Sequence, residues 1–105
     1  MGEIMVMIFE NPKARQQLLS KGIVYTFRKH EHVTGKDWAT DRRCGKKICD
    51  INIELVKKIT DADELLPYVS ESGFKDFTEW LLTIQSLNPK MREIRGYLYK
   101  VTKST

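Results

Sequence analysis

Four things are scarce in this 105-residue chain, and each scarcity removes a class of protein. No apolar run approaches the roughly 20 residues that a bilayer-spanning helix needs, so no membrane partner is expected. Two cysteines are too few for a disulfide scaffold. Only three prolines and six glycines are present, with no repeat or low-complexity tract, which excludes collagen-like and linker-like chains. The start "MGEIMVMIFE" carries Glu3 where a secretory signal would carry basic residues, so the protein is expected to be cytoplasmic. Met1-Gly2 also lacks the Ser or Thr of a myristoylation start, since Val6 stands at the sixth position.

What remains is an ordinary globular composition, 41% apolar and 30% charged, of a length that suits one domain spanning residues 1–105. The charge is uneven. Residues 1–60 hold 12 Lys/Arg against 7 Asp/Glu, whereas residues 61–105 hold 6 against 7, so the first part carries more than the whole net charge of +4. A basic region on a small domain suits nucleic acid or a phosphorylated small molecule, and is also met on plain solvated surfaces.

The apolar run Glu3 to Phe9 reads as a short buried strand. Asn11 is a suitable N-cap and Pro12 a suitable first residue for a helix, with Ala14, Leu18 and Leu19 on one side, and Gly22 closes it as a left-handed C-terminal residue. "IVYTFR" follows as a strand, in which Ile23, Tyr25 and Phe27 share one face and Val24, Thr26 and Arg28 the other. From His30 to Gly45 no period is visible, and a long loop carrying Trp38 is expected. "KICDINIELVKKI" alternates, with Cys49, Ile51, Ile53 and Leu55 on the apolar side. A short acidic helical turn ending near Pro67 comes next. Asp76 and Glu79 then have capping-box spacing before a helix whose apolar face is Phe77, Trp80, Leu81, Ile84 and Leu87, stopped by Asn88-Pro89. "EIRGYLYKVT" is the last strand, with Gly96 as a bulge or a point of close approach.

The helix, "LLSKGIVYTFR", a Gly-containing loop, the alternating strand, "GFKDFTEWLLTI" and a closing "RGYLYKVTK" together resemble the ASCH domain of the PUA-like superfamily. The resemblance covers roughly residues 12–103 and is sharpest from Gly22 to Arg28. It implies an α+β fold: a small mixed β-barrel with two to three flanking helices. One branch of the family is an amidohydrolase acting on acylated cytidines. That branch has polar residues after the Gly where this chain has Ile23 and Val24, and the segment from Gly to Arg is one residue shorter here. Lys21, Thr26 and Glu79 are the catalytic candidates that reading would use, a lysine and a carboxylate being sufficient to activate water.

A binding role asks less of the residues. Arg28 and Lys29 at the strand end, with Lys36, Arg42, Arg43, Lys46 and Lys47, supply forks and point charges for phosphates, and Trp38 offers a stacking surface for an unpaired base. Tyr25 could stack too, but its face also holds Ile23 and Phe27 and reads as core; Trp80 reads as packing. RNA or a nucleotide-like ligand is therefore the expected partner, with no chemistry required. A small hydrolase of modified nucleosides, and a protein-interaction module for an acidic partner, stay open as alternatives.

His30, His32, Cys44 and Cys49 complete a Cys2His2 set on paper. The C-x4-C spacing is loose, H-x-H is short and His precedes Cys, so two free thiols, no metal and no cofactor are the expectation.

Overall fold

In the computed structural model, which describes residues 6–104, the Asn11 carboxamide accepts from the backbone N–H groups of Lys13 and Ala14 at 2.9 and 3.3 Å. Those are orphan donors of a helix start, and Pro12 needs none, so α1 (Pro12–Lys21) begins where the sequence places it. It ends at Gly22, whose φ of 78° lets its N–H turn back to the Leu18 carbonyl. Before it lies β1 (Val6–Ile8); the earlier part of the expected strand, residues 3–5, lies outside the described residues. After it come β2 (Ile23–Arg28), β3 (Gly35–Thr40), β4 (Cys49–Ile59), a 3-10 helix (Ala62–Glu71), α2 (Phe77–Leu87) and β5 (Gly96–Lys103).

The five strands form one sheet in the order β1-β3-β4-β5-β2, parallel between β1 and β3 and antiparallel elsewhere. The curled sheet is a half-barrel: β1 and β2 are its two edges and do not pair, so the closed barrel implied by the resemblance is not formed. Instead α1, the connection between the edge strands, turns Ala14 and Leu18 into the core that fills the concave side with Met7, Phe9, Val24, Ile51, Tyr99 and Val101. A second core lies on the other face of β2 and β5, where Phe27, Ile59 and Leu98 meet Leu65, Trp80, Ile84 and Ile94. β2 is thus covered on both sides, with Val24 and Thr26 buried toward one layer and Phe27 toward the other.

Four sequence expectations change. The expected loop over residues 30–45 contains β3, and Trp38 is a strand residue opposite Asp50 and Val6. Its neighbours Gly35, Lys36 and Asp37 are poor strand formers, so the pairing there comes from the β1 and β4 edges that flank it and not from local propensity. Leu55 is 45% exposed because Leu55 pairs with Tyr99 and Lys57 with Leu98, leaving Val56 as an extra residue. That bulge shifts the alternation and buries Ile59 instead. Pro67 sits inside the 3-10 helix and does not end it. Leu87, expected on the apolar face of α2, is also largely exposed, whereas Trp80 and Ile84 are buried as expected.

Asp61 and Glu64 form a complete capping box on the 3-10 helix. Glu64 accepts from the Thr60 and Asp61 backbone N–H groups, both at 2.9 Å, and from Lys57 Nζ at 2.7 Å. The lysine ammonium first, then these N–H groups, hold its carboxyl down to about 2 from the ordinary 4.5. A depressed folded-state value gives stability that is complete above pH 4.5 and is lost as pH falls through about 2. Glu64→Gln should therefore flatten the fall in melting temperature over that interval, measured by circular dichroism; an unchanged acid limb would show that the box contributes nothing.

Gly96 is needed for a different reason. A Cβ there would overlap the Arg28 carbonyl oxygen and come within 2.7 Å of the Phe27 ring. Gly96→Ala should cost about 1–3 kcal/mol in urea unfolding, the usual range for overpacking a tight site.

Candidate functional site

Beyond the end of β2 the two layers separate and leave a cleft of about 430 Å³. One side is the turn after β1 and the start of α1, with Ile8, Phe9, Glu10, Asn11 and Ala14. The other is Phe74 and the face of α2 that carries Trp80, Thr83, Ile84, Leu87 and Asn88. Residues Thr26 to Lys29 run along its floor, and Arg43 reaches in from the β3–β4 loop.

The helix faces are held at this spacing by Glu79, whose carboxylate pairs with Lys13 Nζ on α1 and accepts from the Lys75 backbone N–H at 2.7 Å. Asp76 caps α2 by accepting from the Glu79 N–H at 2.9 Å, so only one arm of the expected capping box forms. The Glu79 side chain goes to Lys75 and Lys13 instead. The Phe74 and Trp80 rings stack on each other, 6.4 Å apart and 13° from parallel, with Trp80 buried and Phe74 the more accessible of the two.

Arg28 is the chemical centre of the cleft. Its guanidinium carbon lies 5.0 Å from the centre of the Phe9 ring, and its Nε donates to Thr26 Oγ1 at 3.3 Å. These two contacts hold the guanidinium in place, and its terminal nitrogens have no hydrogen-bond partner among the described residues. Among the described residues the ion pairs are Lys13–Glu79, Arg42–Asp41, Lys47–Asp50, Lys57–Glu64 and Arg95–Glu93, and Arg28 belongs to none of them. Burial lowers its pKa to about 10, opposed in part by Tyr99. The group still carries its charge at neutral pH. A desolvated cation without a carboxylate is costly, and an anion entering from solvent offsets that cost.

Tyr99 prepares the same region from below. Its ring is wholly buried, while its hydroxyl accepts from the His32 backbone N–H at 2.6 Å and donates to the His32 carbonyl at 3.2 Å. The segment after β2 is thereby tied to β5, which steadies Lys29 at the rim. Desolvation first raises the Tyr99 pKa, so the hydroxyl stays protonated and able to donate.

Of the eight residues proposed from sequence to bind nucleic acid, three come together here: Arg28, Lys29 and Arg43. The others do not line the cleft. Arg42 and Lys47 are matched by Asp41 and Asp50 at 3.4 and 2.8 Å, Lys46 is exposed, and Lys36 and Trp38 lie on β3 with a parity opposite to core Ala39. Tyr25 packs against Tyr68, its ring 4.9 Å away, as a member of the second core and not as a stacking platform. Phe9, Phe74, Trp80 and Thr83 were not expected in the site. Trp80 carried the signal for packing, and it does pack at 2% exposure, but the edge of its apolar stripe is also a cleft wall.

The catalytic candidates are dispersed. Thr26 lines the cleft and is bound to Arg28, Glu79 is spent on Lys13 and Lys75, and Lys21 is exposed in the last turn of α1. The zinc candidates are dispersed as well. Cys49 is in the concave core, Cys44 is exposed, and the His32 ring nitrogens lie 2.8 and 3.2 Å from the Val33 and Val6 carbonyls. Among the described residues no three His, Cys, Asp or Glu side chains converge. No family model, no curated protein and no solved structure matches this chain.

A partly desolvated cation without an ion-pair partner among the described residues costs stability. Arg28→Met keeps the length of the side chain against Phe9 while removing the charge. It should leave the melting temperature unchanged or raise it; a clear loss of stability would make Arg28 a structural residue instead.

Proposed function

We propose that the chain is an RNA- or nucleotide-binding domain of the ASCH and PUA-like type, acting in the cytoplasm, and that its ligand enters the cleft over Arg28. The single observation that carries this reading is the guanidinium fork, aligned by Phe9 and Thr26, without a carboxylate partner among the described residues, and facing an aromatic wall. Such a pairing of fixed cation and flat apolar surface suits a ligand with an anionic group beside a planar one, which describes a nucleotide. The resemblance, sharpest at the strand that ends in Arg28, points to the same residue. Binding is preferred to catalysis because Lys21 and Glu79, which a hydrolase would need beside Thr26, do not line the same cleft. Among the described residues no helix is long and apolar enough to cross a membrane, which suits a ligand met in solution.

Fluorescence titration with short single-stranded RNA over a range of salt concentrations tests the proposal. Each phosphate contact should contribute a slope of roughly 0.7 to the fall of log affinity with log salt. Arg28→Ala should weaken binding and reduce the slope by about that amount. Lys100→Ala and Lys103→Ala on β5 should do much less. Equal effects from all three would mean that only net charge is being sensed.

A further inference from the structure

The cationic lining of the cleft is confined to three residues. Seven basic residues were expected to form a phosphate track, yet only Arg28, Lys29 and Arg43 line the cleft, and Arg42 and Lys47 are matched by their own aspartates. Its volume of about 430 Å³ lies at the small end of the roughly 300–1,000 Å³ usual for ligand clefts, enough for one nucleotide and not for a run of them. Against the three cations stands one lining carboxylate, Glu10, and the lining residues of α2 carry no charge. The balance is therefore two positive charges around the Arg28 fork.

We propose that the cleft recognises a terminal phosphomonoester, as on a free nucleoside monophosphate or a phosphorylated RNA end, and discriminates against internal phosphodiesters. This rests on the nucleotide reading above and narrows it. A phosphomonoester carries about −1.5 to −2 charges at pH 7 and three acceptor oxygens, enough for the Arg28 fork together with the Lys29 and Arg43 point charges. A diester carries a single charge and two free oxygens, and its chain must continue in both directions beyond the three cations that line the cleft. The attached base has the accessible apolar lining, Phe74 and the exposed Leu87, to lie against.

Titration calorimetry and nuclear magnetic resonance shift mapping with defined probes separate the two layers of the argument. The probes are the four ribonucleoside 5′- and 3′-monophosphates, the four nucleosides, dinucleoside monophosphates that contain only a diester, and inorganic phosphate. At moderate salt the best monophosphate should bind at least tenfold more tightly than its nucleoside, any dinucleoside monophosphate or inorganic phosphate, with shifts at Arg28, Phe74 and Trp80. The double variant Lys29→Ala/Arg43→Ala, altered only at exposed positions, should lose most of the preference for monoester over diester while keeping its melting temperature. An octamer RNA should gain affinity when its end is phosphorylated. Comparable binding of monoester and diester, or an octamer indifferent to its end, overturns the inference while the nucleotide reading stands. Inorganic phosphate binding as tightly as every nucleotide removes any role for the base and overturns it too. Absence of shifts at the cleft with every probe overturns both.

Discussion

The approach of β5 to the end of β2 sets the geometry on which everything else depends. Gly96 leaves room for the Arg28 carbonyl and the Phe27 ring, so the two strands stay paired from Ile23–Thr102 to Arg28–Tyr97. Because the pairing persists to the last residue, Phe27 is committed to the outer core and Arg28 to the concave side. Arg28 then arrives at the point where the concave core ends, with Phe9 beside it and Thr26 below. A side chain at Gly96 would push the strands apart there and spoil this alignment before affecting the middle of the sheet.

The same constraint explains why the site is half apolar. α1 crosses from one edge strand to the other and α2 covers the outer face of β2, so the strand end lies between two helices that do not close over it. Lys13 and Glu79 hold the helix starts together, an ion pair half-exposed enough to contribute little energy but sufficient to fix spacing. What faces the gap is the residual surface of two cores, Phe9 and Ala14 from one and Trp80 and Ile84 from the other. Arg28 enters this gap because the alternation of β2 gives its last inward position to a residue long enough to reach the opening.

Local signals carried much of this. Asn11-Pro12 and Gly22 bound α1 by backbone chemistry that any context respects, Asn88 ends α2, and the β4 alternation holds from Cys49 to Ile53. Features decided by distant partners were not legible. β3 has little strand propensity of its own and forms because β1 and β4 are there to receive it. The Val56 bulge is an agreement between β4 and β5 that no window of β4 contains. The binding site suffered most from this. Sequence neighbours of Arg28 and Arg43 suggested one basic region, yet Asp41 and Asp50 pair with two of its members. Trp80 packs as expected and also lines the cleft where two layers part, whereas Trp38, on β3, is not among the lining residues.

The uneven charge of the chain acquires a different meaning in this light. An excess of cations spread over a surface attracts any polyanion, and its effect fades over roughly a Debye length of 8–10 Å at physiological salt. Local pairing by Asp41 and Asp50 weakens that general attraction, while Arg28, Lys29 and Arg43 line the cleft with Glu10 as the one lining carboxylate among the described residues. The field is thereby concentrated where the dielectric is low and where the Arg28 fork has already given up much of its water. A ligand gains from that concentration only if its charge can enter. Under the proposed reading, size and shape would select among anions before charge does, and the basic first part of the sequence would serve a confined site better than an extended surface.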